Sequence, residues 1–140
     1  NSNLNRISYK AMKNERGNFG FRHDFKRNLE NEWFFEKIKK QFFPNDNLTV
    51  NKGSYHLRHN AKKVMSHEDE EDYNFLLYLK GKELIYNGTG FYTKKMMYSY
   101  IGFVENRALF FDGKNNTHTD LQALGESSPR HTINIFYNYE

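Results

Sequence analysis

Six histidines occur in this 140-residue chain, and two of them open a His-x-Asp triplet: His67-Glu68-Asp69 and His118-Thr119-Asp120. An imidazole and a carboxylate two residues apart can converge on a metal ion from a strand end. Two imidazoles and one carboxylate on a single face of an ion leave three positions open, which suits a non-haem Fe(II) site that must also admit oxygen. One His-x-Asp alone is weak evidence, since the chain contains two, and the downstream context separates them. With His67 and Asp69 as the pair, His118 follows at a distance that lets it arrive on a later strand, and Arg130 comes after it. With His118 and Asp120 as the pair, only His131 remains, on the strand face opposite Arg130. The first arrangement is preferred. Cysteine is absent, which excludes a catalytic thiol, a thiolate-bound zinc or iron–sulfur site, and a disulfide scaffold.

The elements that must position these residues are mostly strands. Over 29–43, Leu29, Trp33, Phe34, Ile38 and Phe42 recur every three to four residues with Lys and Glu between them, which predicts an amphipathic helix ended by Pro44. After Pro44 the pattern changes to short β-type runs, near 48–58, 62–67, 73–80, 83–86, 90–93, 97–104, 107–111 and 130–139. Asn87-Gly88 signals a tight hairpin turn between 83–86 and 90–92. Residues 1–28 read as irregular structure with at most one strand. Many short strands without intervening helices argue for a sandwich, barrel or jelly roll. In the last strand, period two places Arg130, Thr132 and Asn134 on one face and Ile133, Ile135 and Tyr137 on the other. A polar face on an otherwise aromatic strand predicts the wall of a wet cavity.

The ordered set His67-x-Asp69, Tyr78-Leu79, 106–111 (NRALFF), His118 and Arg130-x-Thr132 resembles the Fe(II)/2-oxoglutarate-dependent oxygenase superfamily, and within it the prolyl-hydroxylase-like branch, over about residues 50–139. The resemblance implies a mainly β, double-stranded β-helix (jelly-roll, cupin-like) fold with one supporting N-terminal helix. It implies that His67, Asp69 and His118 bind Fe(II), and that Arg130 pairs with the distal carboxylate of 2-oxoglutarate, helped by Tyr78 and Thr132. Tyr55, on the first strand, is expected to reach the other end of the co-substrate. A guanidinium fork can hold a carboxylate bidentately where a lysine acts as a point charge. The activity implied is a dioxygenase that consumes O2 and releases succinate and CO2 while hydroxylating its substrate. The pattern also departs from the family: the stretch from Asp69 to Tyr78 is short, and the family's large N-terminal region is reduced to one helix.

Plainer readings apply to the other candidates. His23, His56, His59 and His131 are expected to be surface or hydrogen-bonded residues. His56 and His59 fall on opposite faces of a strand and so do not share a metal. The acidic run 68–72 is expected to be a solvated turn apart from Asp69. Thr132 and Tyr78 are as consistent with ordinary packing as with lining a cavity.

The length gives one domain over 1–140, and the aromatic content, with 13 Phe and 10 Tyr, supplies its core despite a hydrophobic fraction of only 37%. Basic and acidic residues are interspersed, and the net charge of +4 lacks the concentrated stripe of a nucleic-acid binder. A β-barrel that stacks single-stranded nucleic acid on Phe and Tyr is thus an alternative from another class, and a cupin-like metal protein without 2-oxoglutarate is a second. The expected partner is a peptide or small molecule, with a prolyl residue first; oligomeric state is not legible. No apolar stretch has the length of a signal peptide or membrane span, which gives a cytoplasmic, soluble expectation.

Overall fold

The computed structural model describes residues 10–14, 17–26, 29–59, 61 and 65–140. Its elements run β1 (Lys10–Asn14), β2 (Gly17–Asp24), α1 (Leu29–Phe42), β3 (Leu48–Arg58), β4 (Tyr73–Gly81), β5 (Thr89–Thr93), β6 (Met96–Ile101), β7 (Ala108–Asp112), β8 (Thr117–Asp120) and β9 (Arg130–Tyr139). A six-stranded sheet has the order β1-β2-β3-β9-β4-β7, and a three-stranded sheet the order β6-β5-β8. All named pairings are antiparallel. Two open sheets face each other and no closed barrel forms among the described residues, which is the double-stranded β-helix arrangement that the resemblance implies.

Alternation along the central strands gives the large sheet two different faces. Phe75, Ile135 and Tyr137 pack with Leu48 and Val50 against Phe35 and Ile38 of α1. Burial of such side chains stabilises by about 1.5–3 kcal/mol each, so this helix-covered layer is the main store of stability. Between the sheets, Leu76, Tyr78, Phe91, Phe103 and Leu109 form a second apolar cluster. The rest of that space is lined by polar side chains. The helix thus buttresses the large sheet through part of the predicted stripe, with Ile38 buried and Phe34 packed beside it, but Phe35 is fully buried, whereas Trp33 is 64% exposed and lies under the Lys37 ammonium.

Several local expectations are corrected. Residues 83–86 are not a strand. Ile85–Asn87 form a 3₁₀ turn closed by Asn87 N–H to Leu84 O and Gly88 N–H to Ile85 O. Asn87-Gly88 is accordingly no hairpin turn, and the neighbouring hairpin joins β5 to β6, with Lys94 at φ 55°. In 62–67, residues 62–64 lie outside the described ones, and Met65–His67 contribute only one bridge, His67 to His118. The polar segment 117–120 is instead a strand, paired with β5. The N-terminal part contributes two strands, β1 and β2, that extend the large sheet from β3. The acidic run is not simply solvated: Glu71 is buried, paired with Lys52 at 2.8 Å and accepting from Asn51 at 2.8 Å. Asp72 accepts the Tyr139 N–H at 2.9 Å. These bonds fix the segment that follows Asp69. No helix of the described residues is long and apolar enough to cross a membrane.

Candidate metal centre and co-substrate cavity

His67 and His118 are brought face to face by the bridge between their backbones, with N–H···O distances of 3.0 and 2.9 Å. Two residues on, the Asp69 N–H donates to Gly113 O at 2.9 Å, which turns its carboxylate back toward both rings. Gly113 is required here because a Cβ at that position would lie 2.2 Å from Asp69 Oδ2. Nε2 of His67 is 3.6 Å from Asp69 Oδ1 and Nε2 of His118 is 3.4 Å from Asp69 Oδ2. The three potential ligand atoms lie within 4.8 Å of one another.

The two imidazoles are oriented by the same device. Each Nδ1 sits against the backbone carbonyl two residues earlier, His67 on Met65 O at 3.0 Å and His118 on Asn116 O at 2.8 Å. With Nδ1–H donating there, each neutral ring presents the Nε2 lone pair inward, the tautomer a metal ligand needs. Asn74 Nδ2 donates to Asp69 Oδ2 at 3.3 Å, an outer contact that steadies the carboxylate. Burial works against the charged form of Asp69, but the contacts from His118 and His67 outweigh it and hold the carboxyl well below its ordinary range. The Asp69 contact in turn raises His67 above its ordinary value, against an opposing effect of burial. A permanently ionised carboxylate between two inward Nε2 atoms is a donor set that fits a divalent ion with open positions.

Beside this cluster a cavity of about 50 Å³, lined by His67 and His118 but not by Asp69, opens between the sheets. Its wall on the large sheet includes two directly opposed cross-strand pairs on β3 and β9, His56 with Thr132 and Arg58 with Arg130, together with Asn134 of β9 and Asn74 and Leu76 of β4. Arg130 is buried and its Nη1 donates to Asn87 O at 2.5 Å and Gly88 O at 2.8 Å. Its Nε has no hydrogen-bond partner. A buried guanidinium with an orphaned N–H on a cavity wall is suited to a carboxylate, because leaving a buried donor unmatched carries a desolvation cost that an anion would remove.

The predicted residues therefore fall into three groups. His67, Asp69 and His118 meet at one point, and Arg130 and Thr132 line the same cavity. Tyr78 stands behind the wall: its ring is stacked on Phe103 at 4.7 Å, with the Arg130 guanidinium 5.8 Å from its centroid, and its hydroxyl meets Thr89 Oγ1 at 2.7 Å. Burial raises its phenol, only partly offset by Arg130, so Tyr78 acts as a neutral prop for the arginine. Tyr55 is on the other side of the sheet, where its hydroxyl contacts His131 Nδ1 beside Phe21 and Leu57. Alternation puts His56, not Tyr55, toward the cavity.

Among the cavity residues that the sequence did not single out are His56, Arg58 and Asn74. The first two were legible by the period-two test applied to β9, since Ser54, His56 and Arg58 form an equivalent polar stripe on β3. The large sheet's inward face is thus polar on both of its central strands.

No protein-family model matches the chain, and no curated protein matches it. Its fold nevertheless has solved counterparts. An oxidoreductase of the 2OG-Fe(II) oxygenase family from Burkholderia pseudomallei is similar over 95% of this chain and 72% of its own, with TM-score 0.64 and 8% identity. The non-heme alpha ketoglutarate dependent epimerase SnoN from nogalamycin biosynthesis is similar over 97% of this chain and 69% of its own, with TM-score 0.65 and 9% identity. The viral collagen prolyl hydroxylase vCPH from Paramecium Bursaria Chlorella virus-1 is similar over 87% and 80%, with TM-score 0.54 and 13% identity. The chain has the double-stranded β-helix fold of these oxygenase structures.

Proposed function

We propose that this chain is an Fe(II)- and 2-oxoglutarate-dependent dioxygenase that hydroxylates a prolyl residue in a peptide or a small molecule. The observation that carries the reading is the single cavity that joins a His67–Asp69–His118 donor set to a buried arginine with an unmatched N–H. In this reading His67, Asp69 and His118 hold the ion on one face through two neutral Nε2 atoms and one carboxylate. Arg130 binds the distal carboxylate of 2-oxoglutarate, with Thr132 beside it and Tyr78 bracing it from behind. When bound, the ion and co-substrate supply the oxidising power, with O2 consumed and succinate and CO2 released. The protein contributes orientation through Met65 O, Asn116 O and Asn74, and a shielded space bounded by Leu76 and Phe111 that keeps bulk water from the reacting face.

The reading is tested by incubating the purified chain with Fe(II), 2-oxoglutarate and O2 and following succinate by mass spectrometry, with and without proline-rich peptides and free amino acids. Slow succinate release that an acceptor accelerates, and that Asp69→Ala abolishes, is expected. No succinate from a protein shown to have bound both iron and 2-oxoglutarate would contradict it.

A further inference from the structure

The cavity holds a second arginine that the proposed reaction has not used. Arg58 and Arg130 are direct cross-strand partners on β3 and β9, both facing inward and both lining the cavity. Like charges directly opposite one another destabilise a strand pair, so two inward guanidiniums at one rung require anions nearby. The cavity lining contains one aspartate besides the metal-facing side, Asp120. It pairs with Arg58, Nη1 to Oδ2 at 2.6 Å. Among the described residues Arg130 meets neutral groups, the carbonyls of Asn87 and Gly88 and the Tyr78 ring, and keeps its buried Nε unmatched. Asp69, the other acid, is turned to the two imidazoles. The wall therefore carries one positive charge that its own acids do not answer.

We propose that Arg58 is a specificity-determining partner of Arg130: the two arginines together hold the far carboxylate of a dicarboxylic 2-oxo acid, and Asp120 is the counter-ion with which that carboxylate competes for Arg58. The inference rests on the co-substrate reading above. Two forks on one rung can surround a carboxylate, each giving a charge-assisted bond. Asp120 does not depend on Arg58 for its place, since its Oδ1 also accepts the Gln122 N–H at 3.2 Å. It stays fixed while Arg58 shares its donors. A shorter or monocarboxylic 2-oxo acid leaves both guanidiniums without an anion, so the pair discriminates by charge at a set depth. The rival role for Arg58 is a brace that ties β3 to β8, the strand that carries His118.

The experiment uses the Mn(II)-loaded chain, which binds without turnover, and isothermal titration with 2-oxoglutarate and with 2-oxobutyrate, which has the same 2-oxo acid head but no distal carboxylate. Wild type is expected to prefer 2-oxoglutarate strongly. Arg58→Ala is expected to weaken 2-oxoglutarate about tenfold or more, as loss of a charged hydrogen bond does, while 2-oxobutyrate stays within about twofold. Arg58→Lys recovers part of the loss, and Asp120→Asn tightens 2-oxoglutarate severalfold without affecting 2-oxobutyrate. Equal weakening of both acids by Arg58→Ala would make Arg58 a brace and overturn the proposal, as would no change in either. Because the two acids are compared on the same preparation, loss of folded protein lowers the binding stoichiometry and not their ratio. A wild type that binds Mn(II) but neither acid would overturn the co-substrate reading itself, an outcome separate from any effect of Arg58.

Discussion

The two faces of the large sheet share the same strands and have opposite chemistry. On the helix side, Ile135, Tyr137 and Phe75 close on Phe35 and Ile38 in an apolar layer. On the inward side of the same strands stand Ser54, His56, Arg58, Asn74, Arg130, Thr132 and Asn134, two of which carry buried atoms without a hydrogen-bond partner, Asn74 Oδ1 and Arg130 Nε. One face is built for stability and the other gives some up. Unmatched buried polar atoms are tolerated where a ligand answers them, and the helix-side layer offsets their cost.

That contrast can be broken from either side. The largest effect belongs to the apolar face: Phe35→Ala should cost about 3–5 kcal/mol, the range for removing a buried aromatic side chain, read by urea unfolding. The metal affinity of the fraction still folded should be unchanged. Asp69→Ala reverses the pattern. It should weaken Fe(II) or Mn(II) binding by more than about a hundredfold, beyond what outer contacts contribute, read by metal titration of the folded protein. Asn74→Leu sharpens the comparison further, because the Asn74 amide donates to Asp69 with one end and leaves its carbonyl unmatched with the other. Metal affinity should fall about tenfold or more, while the metal-free protein holds or gains stability as an unsatisfied acceptor is removed.

The last effect concerns pH. Burial first, then the charges of Arg58, Arg22 and Arg130, push His56 down to about 3. The folded chain keeps this imidazole neutral while the unfolded chain protonates it near its ordinary value of 6.5. Its contribution to stability is therefore complete above pH 6.5 and is lost as pH falls from there toward 3. His56→Gln should flatten the stability profile between pH 4 and 7, measured by denaturant unfolding at each pH. An unchanged slope would mean that His56 does not sense the cationic wall.

Some of this organisation was legible in the residue order. β9 could be read completely, because Arg130, Thr132 and Asn134 alternate with apolar residues and a period of two leaves no other assignment. His67, Asp69 and His118, which the structure brings together, stand out as an ordered set, though not from either His-x-Asp triplet alone. Tyr55 shows how narrow the margin is: a displacement of one residue along a strand moves a side chain to the opposite face, and the cavity residue is His56. Residues 83–86 look like a strand because Leu84, Ile85 and Tyr86 favour one. Local bonds from Asn87 and Gly88 win instead, and the Asn87 side chain is held by Lys82 O and Ser128. β8 was illegible for the converse reason, since Thr117, His118, Thr119 and Asp120 carry no apolar alternation and depend on pairing with β5. The addition of β1 and β2 to the edge of β3 is likewise a long-range pairing that no local pattern announces.

In the proposed function one cavity binds Fe(II) through His67, Asp69 and His118 and 2-oxoglutarate through Arg130. Anaerobic titration of both into the purified protein tests it directly, by the visible metal-to-ligand charge-transfer band that forms when a 2-oxo acid chelates Fe(II). The account predicts a band that saturates at one equivalent of each, is absent in His67→Ala, and in Arg130→Ala appears only at much higher 2-oxoglutarate. A wild-type protein that forms no band, or an Arg130→Ala variant that titrates like wild type, would contradict it.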